Sequence, residues 1–157
     1  MLERISDPKR VRLAEGHIPI RHRYTPGVAG TAFFEALRSG DFLAARCDDC
    51  GITYCPNRIF CERCFAALEA DTKVGPRGTL ESFTVAHRDV EGRPLDEPVT
   101  LGLVRLDGAD TVLLHRVLDV AAALEIGMTV EPVFEPKTKR TGAITDVRGF
   151  RAATRRR

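Results

Sequence analysis

Tryptophan is absent from this 157-residue chain, and only two tyrosines and eight phenylalanines supply aromatic surface. Proteins that bind single-stranded nucleic acid stack bases on aromatic faces, so this meagre supply weighs against that class. An excess of charge of one sign is also missing. The 24 Lys and Arg against 22 Asp and Glu leave a net charge of +2, little for a dedicated nucleic-acid binder. No apolar run approaches the roughly 20 residues needed to cross a bilayer, which predicts a soluble chain with no membrane role. Nothing at the N-terminus resembles a secretory signal, so an oxidising compartment is not implied and a cytoplasmic location is expected. Catalytic motifs are lacking too: there is no Gly-x-Ser-x-Gly, no glycine-rich phosphate loop and no paired-His signature of a catalytic zinc. His17 and His22 lie near the start and His87 and His115 on predicted strands. They form no constellation, so the chain is not expected to be catalytic on its own.

What is present is cysteine at informative spacing. Cys47 and Cys50 form one Cys-x-x-Cys pair, Cys61 and Cys64 a second, with ten residues between them. Each pair can place two sulfurs on one metal through a tight turn, and two such turns complete a tetrahedral four-thiolate shell. Gly51 follows the first pair, where a residue free to take positive φ lets backbone N–H groups face the sulfurs. The reading is one structural zinc per chain. Such a shell is coordinatively closed, with no position for substrate or water. Two disulfides fit poorly without an oxidising compartment, and iron in the same shell would give a coloured protein. Cys55, between the pairs, is expected to be a small core residue rather than a fifth ligand.

The rest of the chain reads as mostly β with an N-terminal helix. Residues 1–29 read as an extended arm interrupted by Pro8, Pro19, Pro26 and Gly27. Residues 30–70 read as a helix plus a rubredoxin-like zinc ribbon, 71–151 as a barrel and 152–157 as a basic tail. The helix is expected over Thr31–Arg38, with Thr31 as its cap and Gly40 just beyond its end. A short strand over Asp41–Arg46 then leads into Cys47. Strand-like segments follow at about Gly78–Arg88, Val99–Leu106, Thr111–Leu118, Met128–Phe134 and Ala143–Phe150. Asp107-Gly108 predicts a tight turn joining the second and third as a hairpin. Asp119–Ile126 reads as a short alanine-rich helix stopped by Gly127. Three strands, a helix and two strands is the element order of a five-stranded Greek-key OB barrel.

A helix carrying Phe34-Glu35-Ala36-Leu37 precedes Arg46-Cys47-Asp48-Asp49-Cys50-Gly51. Tyr54, Pro56 and Arg58 lead on to Cys61-Glu62-Arg63-Cys64. Arg77-Gly78-Thr79-Leu80 opens the first barrel strand, and Ile126-Gly127-Met128-Thr129-Val130 opens the fourth. In these features the chain resembles the zinc-ribbon/OB-fold family of acyl-CoA-associated accessory proteins, the small subunits of thiolase-like enzymes. It departs from the pattern at Pro76, where a glycine is expected, and at Phe65, which stands after the second pair where the first has Gly51. The second departure predicts fewer backbone hydrogen bonds to one sulfur.

The resemblance implies a non-catalytic accessory subunit of a C–C bond cleaving thiolase or aldolase. Such a subunit forms a hetero-oligomer with its catalytic partner, stabilises it and helps form its CoA site. Degradation of aromatic compounds or of steroid side chains is the expected setting. Coenzyme A carries phosphates, for which Arg58, Arg63, Arg77, Arg88 and Arg105 are the candidate contacts. The simpler role for Arg46, Arg58 and Arg63 is to offset the −2 formal charge of a four-thiolate zinc. The alternative function is a single-stranded nucleic-acid-binding OB/zinc-ribbon module, with Phe83 and Phe134 as its stacking platforms.

Overall fold

The computed structural model describes residues 25–118 and 124–153. Most of the expected arm, the helix over Asp119–Ile126 as far as residue 123, and the tail from residue 154 lie outside the described residues.

Phe33 and Leu37, four residues apart, bury one face of helix α1 (Gly27–Ser39). The helix begins four residues before the expected Thr31. The Thr31 hydroxyl donates to the Gly27 carbonyl (2.7 Å), one turn back, so it satisfies a carbonyl inside the helix and is no cap. At the far end Gly40 takes a left-handed conformation (φ 96°). Its N–H and that of Asp41 return to the Ala36 and Leu37 carbonyls, which stops the helix as expected.

The chain then forms β1 (Phe42–Arg46), β2 (Thr53–Tyr54) and β3 (Thr72–Val74), in the antiparallel order β2-β1-β3. The strands β4 (Gly78–Arg88), β5 (Pro94–Leu106), β6 (Leu113–Arg116), β7 (Thr129–Phe134) and β8 (Val147–Ala152) follow. They form a five-stranded sheet in the order β6-β5-β4-β7-β8. The sheet curls shut through a parallel bridge between Val117 and Phe150, and the Leu118 N–H donates to the Phe150 carbonyl (2.6 Å). Third strand meeting fifth closes the expected OB barrel. Two glycines permit close approaches. A Cβ on Gly78 would lie 2.5 Å from the Arg105 carbonyl, and one on Gly149 2.9 Å from that of Arg116, at the closure itself.

Several bounds differ from expectation for identifiable reasons. The strand expected from Val99 starts at Pro94, because pairing with β4 runs on past its bulges as far as Arg88–Pro94. The strand expected over Thr111–Leu118 shrinks to Leu113–Arg116. Residues 144–146 form a 3-10 turn, so the last strand starts at Val147 rather than Ala143. The β5–β6 hairpin forms, but its last pair is Val104–Leu113. Within the 105–112 excursion Asp107-Gly108 makes the expected tight turn, with Gly108 at φ 90° and the Ala109 N–H donating to the Leu106 carbonyl (2.9 Å), and the residues after it reach the ribbon.

The main core joins the helix, β1 and the barrel. Leu37, Phe42, Leu80, Val104, Val130, Val147 and Phe150 are all but inaccessible to solvent. The Phe42 ring lies 5.5 Å from that of Phe134 and 6.1 Å from that of Phe150. One strand thus feeds the barrel core at Phe42 and delivers the first cysteine five residues later.

Candidate metal centre

The two cysteine turns share one backbone plan. Leaving β1, Cys47 donates its N–H to the Ile52 carbonyl (2.8 Å), and the Gly51 N–H returns to the Cys47 carbonyl (2.7 Å). In the second turn the Cys61 N–H reaches the Ala66 carbonyl (2.9 Å), and the Phe65 N–H the Cys61 carbonyl (3.0 Å). Gly51 has φ 70°, and Phe65 adopts almost the same left-handed value, 60°. The Arg63 N–H also faces the Cys61 sulfur (3.5 Å). The shortfall expected from replacing glycine by Phe65 is therefore corrected: the residue accepts the strained conformation and the turn keeps its hydrogen bonds.

The sulfurs of Cys47, Cys50, Cys61 and Cys64 all lie within 4.8 Å of one another. Tetrahedral zinc with bonds near 2.3 Å sets its sulfurs about 3.8 Å apart, so the cluster fits that ion. The chemistry of the donors agrees. Cys61 is pulled down to about 6, chiefly by the Tyr54 hydroxyl 3.3 Å from its sulfur, with help from backbone N–H groups. Cys50 and Cys47 are shifted the other way. Cys50 is pushed up to about 12, first by its hydrogen bond with Cys64 and then by burial. At Cys47 the Cys50 N–H favours the thiolate, but burial and the adjacent sulfurs outweigh it and raise the pKa. Crowded thiols resist ionising together, and a central cation reverses that preference. No spacing in the sequence marks the Tyr54 hydroxyl as a partner of the metal site; the folded ribbon brings it to Cys61.

Around the sulfurs, Arg46 donates to the Thr53 hydroxyl (3.3 Å). Arg58 pairs with Glu62 (2.6 Å) and lies 4.9 Å above the Tyr54 ring. Cys55 stands apart from the cluster, 2% exposed and within the barrel core, where burial pushes its thiol up to about 12.

The ribbon is tied to the barrel by the 105–112 excursion. The Thr111 hydroxyl accepts from the Cys55 N–H and donates to the Cys55 carbonyl (2.8 Å each). The Asp110 carboxylate accepts the Thr53 N–H (2.8 Å), and the Asp110 N–H donates to the Thr53 carbonyl (2.9 Å). These contacts span more than fifty residues of sequence, and no local pattern announces them.

The five candidate CoA arginines do not converge. Arg58 and Arg63 lie on the ribbon. Arg77, whose carbonyl accepts the Asp107 N–H, stands at the barrel end that meets the ribbon. Arg105 lies at the same end, opposite Thr79, and pairs with Glu81 (2.7 Å). Arg88 closes the far end of β4, about 35 Å from Arg77 at the rise of an extended strand, and donates to the Gly92 carbonyl (2.7 Å).

Among the described residues the two histidines, His87 and His115, offer no base beside a nucleophile, and His17 and His22 lie outside those residues. His87 is exposed on β4. His115 is half-buried on β6, its Nδ1 accepting the Arg116 N–H (2.9 Å), and burial lowers its pKa. It borders an open cleft of about 580 Å³ with Leu101, Leu118, Ile144 and Val147. Phe83 and Phe134, the two aromatics available for base stacking, both pack against the core, and Arg140 lies 4.8 Å above the Phe134 ring.

Known proteins share this architecture. Residues 34–69 match the family model for the ChsH2 rubredoxin-like zinc ribbon domain, and residues 71–135 that for the ChsH2 C-terminal OB-fold domain. A DUF35 domain-containing scaffold protein of Methanocaldococcus jannaschii is 26% identical over 93 residues. That match takes in 59% of this chain and 66% of the relative, just under two thirds of its length. The crystal structure of a DUF35-family protein of unknown function from Sulfolobus solfataricus superposes with a TM-score of 0.60 at 24% identity, over 80% of this chain and 84% of that one. A chain of the Ltp2-ChsH2(DUF35) aldolase gives a TM-score of 0.62 at 23% identity, over 84% of this chain and all of that one. The backbone likeness bears on fold, and the two family models, which together take in well over half the sequence, bear on kinship: the chain belongs to the ChsH2 family of proteins built from a rubredoxin-like zinc ribbon and a C-terminal OB-fold domain.

Proposed function

We propose that this chain is a non-catalytic accessory subunit of a thiolase-type acyl-CoA enzyme, a C–C bond cleaving thiolase or aldolase whose reacting groups lie on a separate catalytic subunit. The observation that carries this reading is the closed sulfur cluster: four cysteines fill a tetrahedral shell and leave no place for a substrate. No nucleophile with an adjacent base occurs among the described residues. The names of two relatives, a scaffold protein and an aldolase with two named components, support a helper role.

Cys47, Cys50, Cys61 and Cys64 hold one zinc, which when bound cross-links the two cysteine turns. The Tyr54 hydroxyl supports Cys61, and Thr111 and Asp110 clamp the ribbon to the barrel. The ribbon is thereby a rigid extension of the barrel, suited to stabilising a partner. Toward CoA, Arg77 and Arg105 are the foremost contacts, since they share the barrel end beside the ribbon, with Arg58 and Arg63 on the ribbon itself. Arg88, at the opposite end, serves a different contact. The setting is a cytoplasmic pathway of aromatic-compound or steroid side-chain degradation, and the five unpaired cysteines are in keeping with a reducing compartment.

The experiment is co-expression with the candidate catalytic subunit. The expected result is a stoichiometric complex with zinc in every copy of this chain, and no turnover by this chain alone. A catalytic subunit that is equally stable and active without this chain overturns the reading.

A further inference from the structure

Two turns of the same backbone geometry carry opposite surfaces. The first presents Asp48, Asp49 and Gly51, the second Glu62, Arg63 and Phe65, with the Glu62 charge offset by Arg58 (2.6 Å). Left-handed backbone costs a bulky residue stability, and Gly51 fills the equivalent position without that cost. Phe65 gains nothing back by burial, for it is 78% exposed. Ile59 and Phe60, 50% and 55% exposed, gather around the same turn. The Phe60–Ala67 bridge and the Leu68 N–H to Ile59 carbonyl bond (2.9 Å) hold them there. The fold does not explain an exposed aromatic in a strained position, since glycine satisfies the fold equally well, and such outliers concentrate where a protein makes contact.

We infer that Phe65, with Ile59 and Phe60 around it and Arg63 at its edge, is the anchor by which this chain docks on its catalytic subunit, entering an apolar pocket whose rim carries a carboxylate. The inference rests on the accessory-subunit reading above. An aromatic beside an arginine is the usual make-up of an interface hot spot. Arg58 is already committed to Glu62 and the Tyr54 ring. No ion pair engages Arg63 among the described residues, so Arg63 supplies the charge that a partner must complement.

A second copy of this chain is a poor occupant. Its apolar cleft between Leu101, Leu118, Ile144 and Val147 carries one carboxylate, Glu135, but that group is paired with Arg148 (3.6 Å), and Arg116 leaves the rim positive toward Arg63. Its other groove offers the carboxylates of Asp48, Asp49, Glu69 and Asp71, but its walls are mostly polar and give Phe65 no seat. Neither of these two grooves thus offers an apolar seat beside an uncommitted carboxylate.

The test uses the full zinc-loaded chain and the catalytic subunit that co-purifies with it. Affinity is measured for the wild type, Phe65→Gly, Phe65→Asn and Arg63→Glu, and each chain is melted alone. Phe65→Gly, freed of strain, is expected to melt no lower than the wild type yet to bind about 10- to 100-fold more weakly. Phe65→Asn, whose side chain tolerates the left-handed conformation, is expected to weaken binding likewise while keeping the turn. Arg63→Glu is expected to slow association and to reverse part of its salt dependence. Unchanged affinity in both Phe65 variants overturns the docking inference and leaves the accessory role standing. No complex with the wild type overturns both. Self-association of the wild type that Phe65→Gly abolishes overturns the choice of partner.

Discussion

The ribbon and the barrel are held together by different forces. The ribbon's own apolar cluster is small, Cys47, Tyr54 and Cys61 buried with Cys50, Ile52, Ala66 and Leu68 partly covered beside them. The core that joins helix and barrel comprises fifteen buried residues, seven of them phenylalanine or leucine: Phe33, Leu37, Phe42, Leu80, Leu106, Leu113 and Phe150. Hydrophobic burial at about 25 cal/mol per Å² can sustain the second and not the first. What the contrast teaches is a division of labour along one chain. The metal shapes the exposed extension, and apolar packing shapes the platform that carries it, with β1 running through both.

The contrast is broken most directly by taking the metal away. Zinc in such modules contributes on the order of 10–16 kcal/mol at neutral pH. Chelation, or Cys61→Ser, is therefore expected to abolish amide-exchange protection across residues 47–68 while β4 to β8 stay protected. Zinc analysis should give one ion per chain beforehand. Simultaneous loss of protection in the barrel strands would show that the two regions are one cooperative unit.

The converse blow falls on the barrel. Phe150 is fully buried against Phe42 and His115 and sits at the closure. Phe150→Ala is expected to cost about 3–5 kcal/mol by urea unfolding, with bound zinc unchanged in the folded protein. Zinc loss in step with the barrel's unfolding would shift weight from the metal to the shared strand.

Acid sharpens the contrast from the barrel side. Asp146 is buried, which pushes its carboxyl pKa up, but N–H groups of Thr141, Gly142 and Ala143 outweigh that and hold it below the ordinary value. A depressed folded pKa gives stability that is fully present above the unfolded pKa near 3.9 and is lost as pH falls through the folded value. Asp146→Asn is therefore expected to lower barrel stability by about 2–3 kcal/mol at pH 7. The gap should narrow as the pH is taken from 7 into the acid range, down through the folded value. Urea midpoints across that range check it, and a gap of constant size would deny the carboxylate its role.

The two regions were also unequally legible in the sequence. The cysteine turns are local chemistry: spacing alone brings Cys47, Cys50, Cys61 and Cys64 together, and Gly51 marks the first turn. Strand β4 was legible end to end because Gly78 and the turn after Arg88 bound a clean run. Elements shaped by distant contacts were not. Thr111 and Val112 look like strand residues, yet Thr111 is diverted to Cys55, 56 residues away. Pro94 to Glu97 look like loop, yet pairing with β4 extends the strand through them. Thr31 looks like a cap because the true start of the helix lies where proline and glycine suggest a linker. The arginines near the family motifs were easy to name, and the legible β4 already set Arg77 and Arg88 at opposite ends, but only the barrel's register brings Arg105 opposite Thr79, beside Arg77.

The smallest effect is expected at the seam, and it bears most on how the two regions communicate. Thr111→Val keeps the shape of the side chain and removes both hydrogen bonds to Cys55, leaving its N–H and carbonyl without these partners. At about 0.5–1.5 kcal/mol net for each bond, the loss of the two is about 1–3 kcal/mol. Neither core is touched, since Cys55 stays packed and the Asp110–Thr53 pair remains. The change should therefore appear as faster amide exchange at Thr53 to Cys55, with zinc content and barrel exchange unaltered. If β1 alone suffices to couple ribbon and barrel, exchange at those residues will match the wild type. Slower exchange in the wild type would instead show that the 105–112 excursion is what makes the metal-held extension rigid against the barrel.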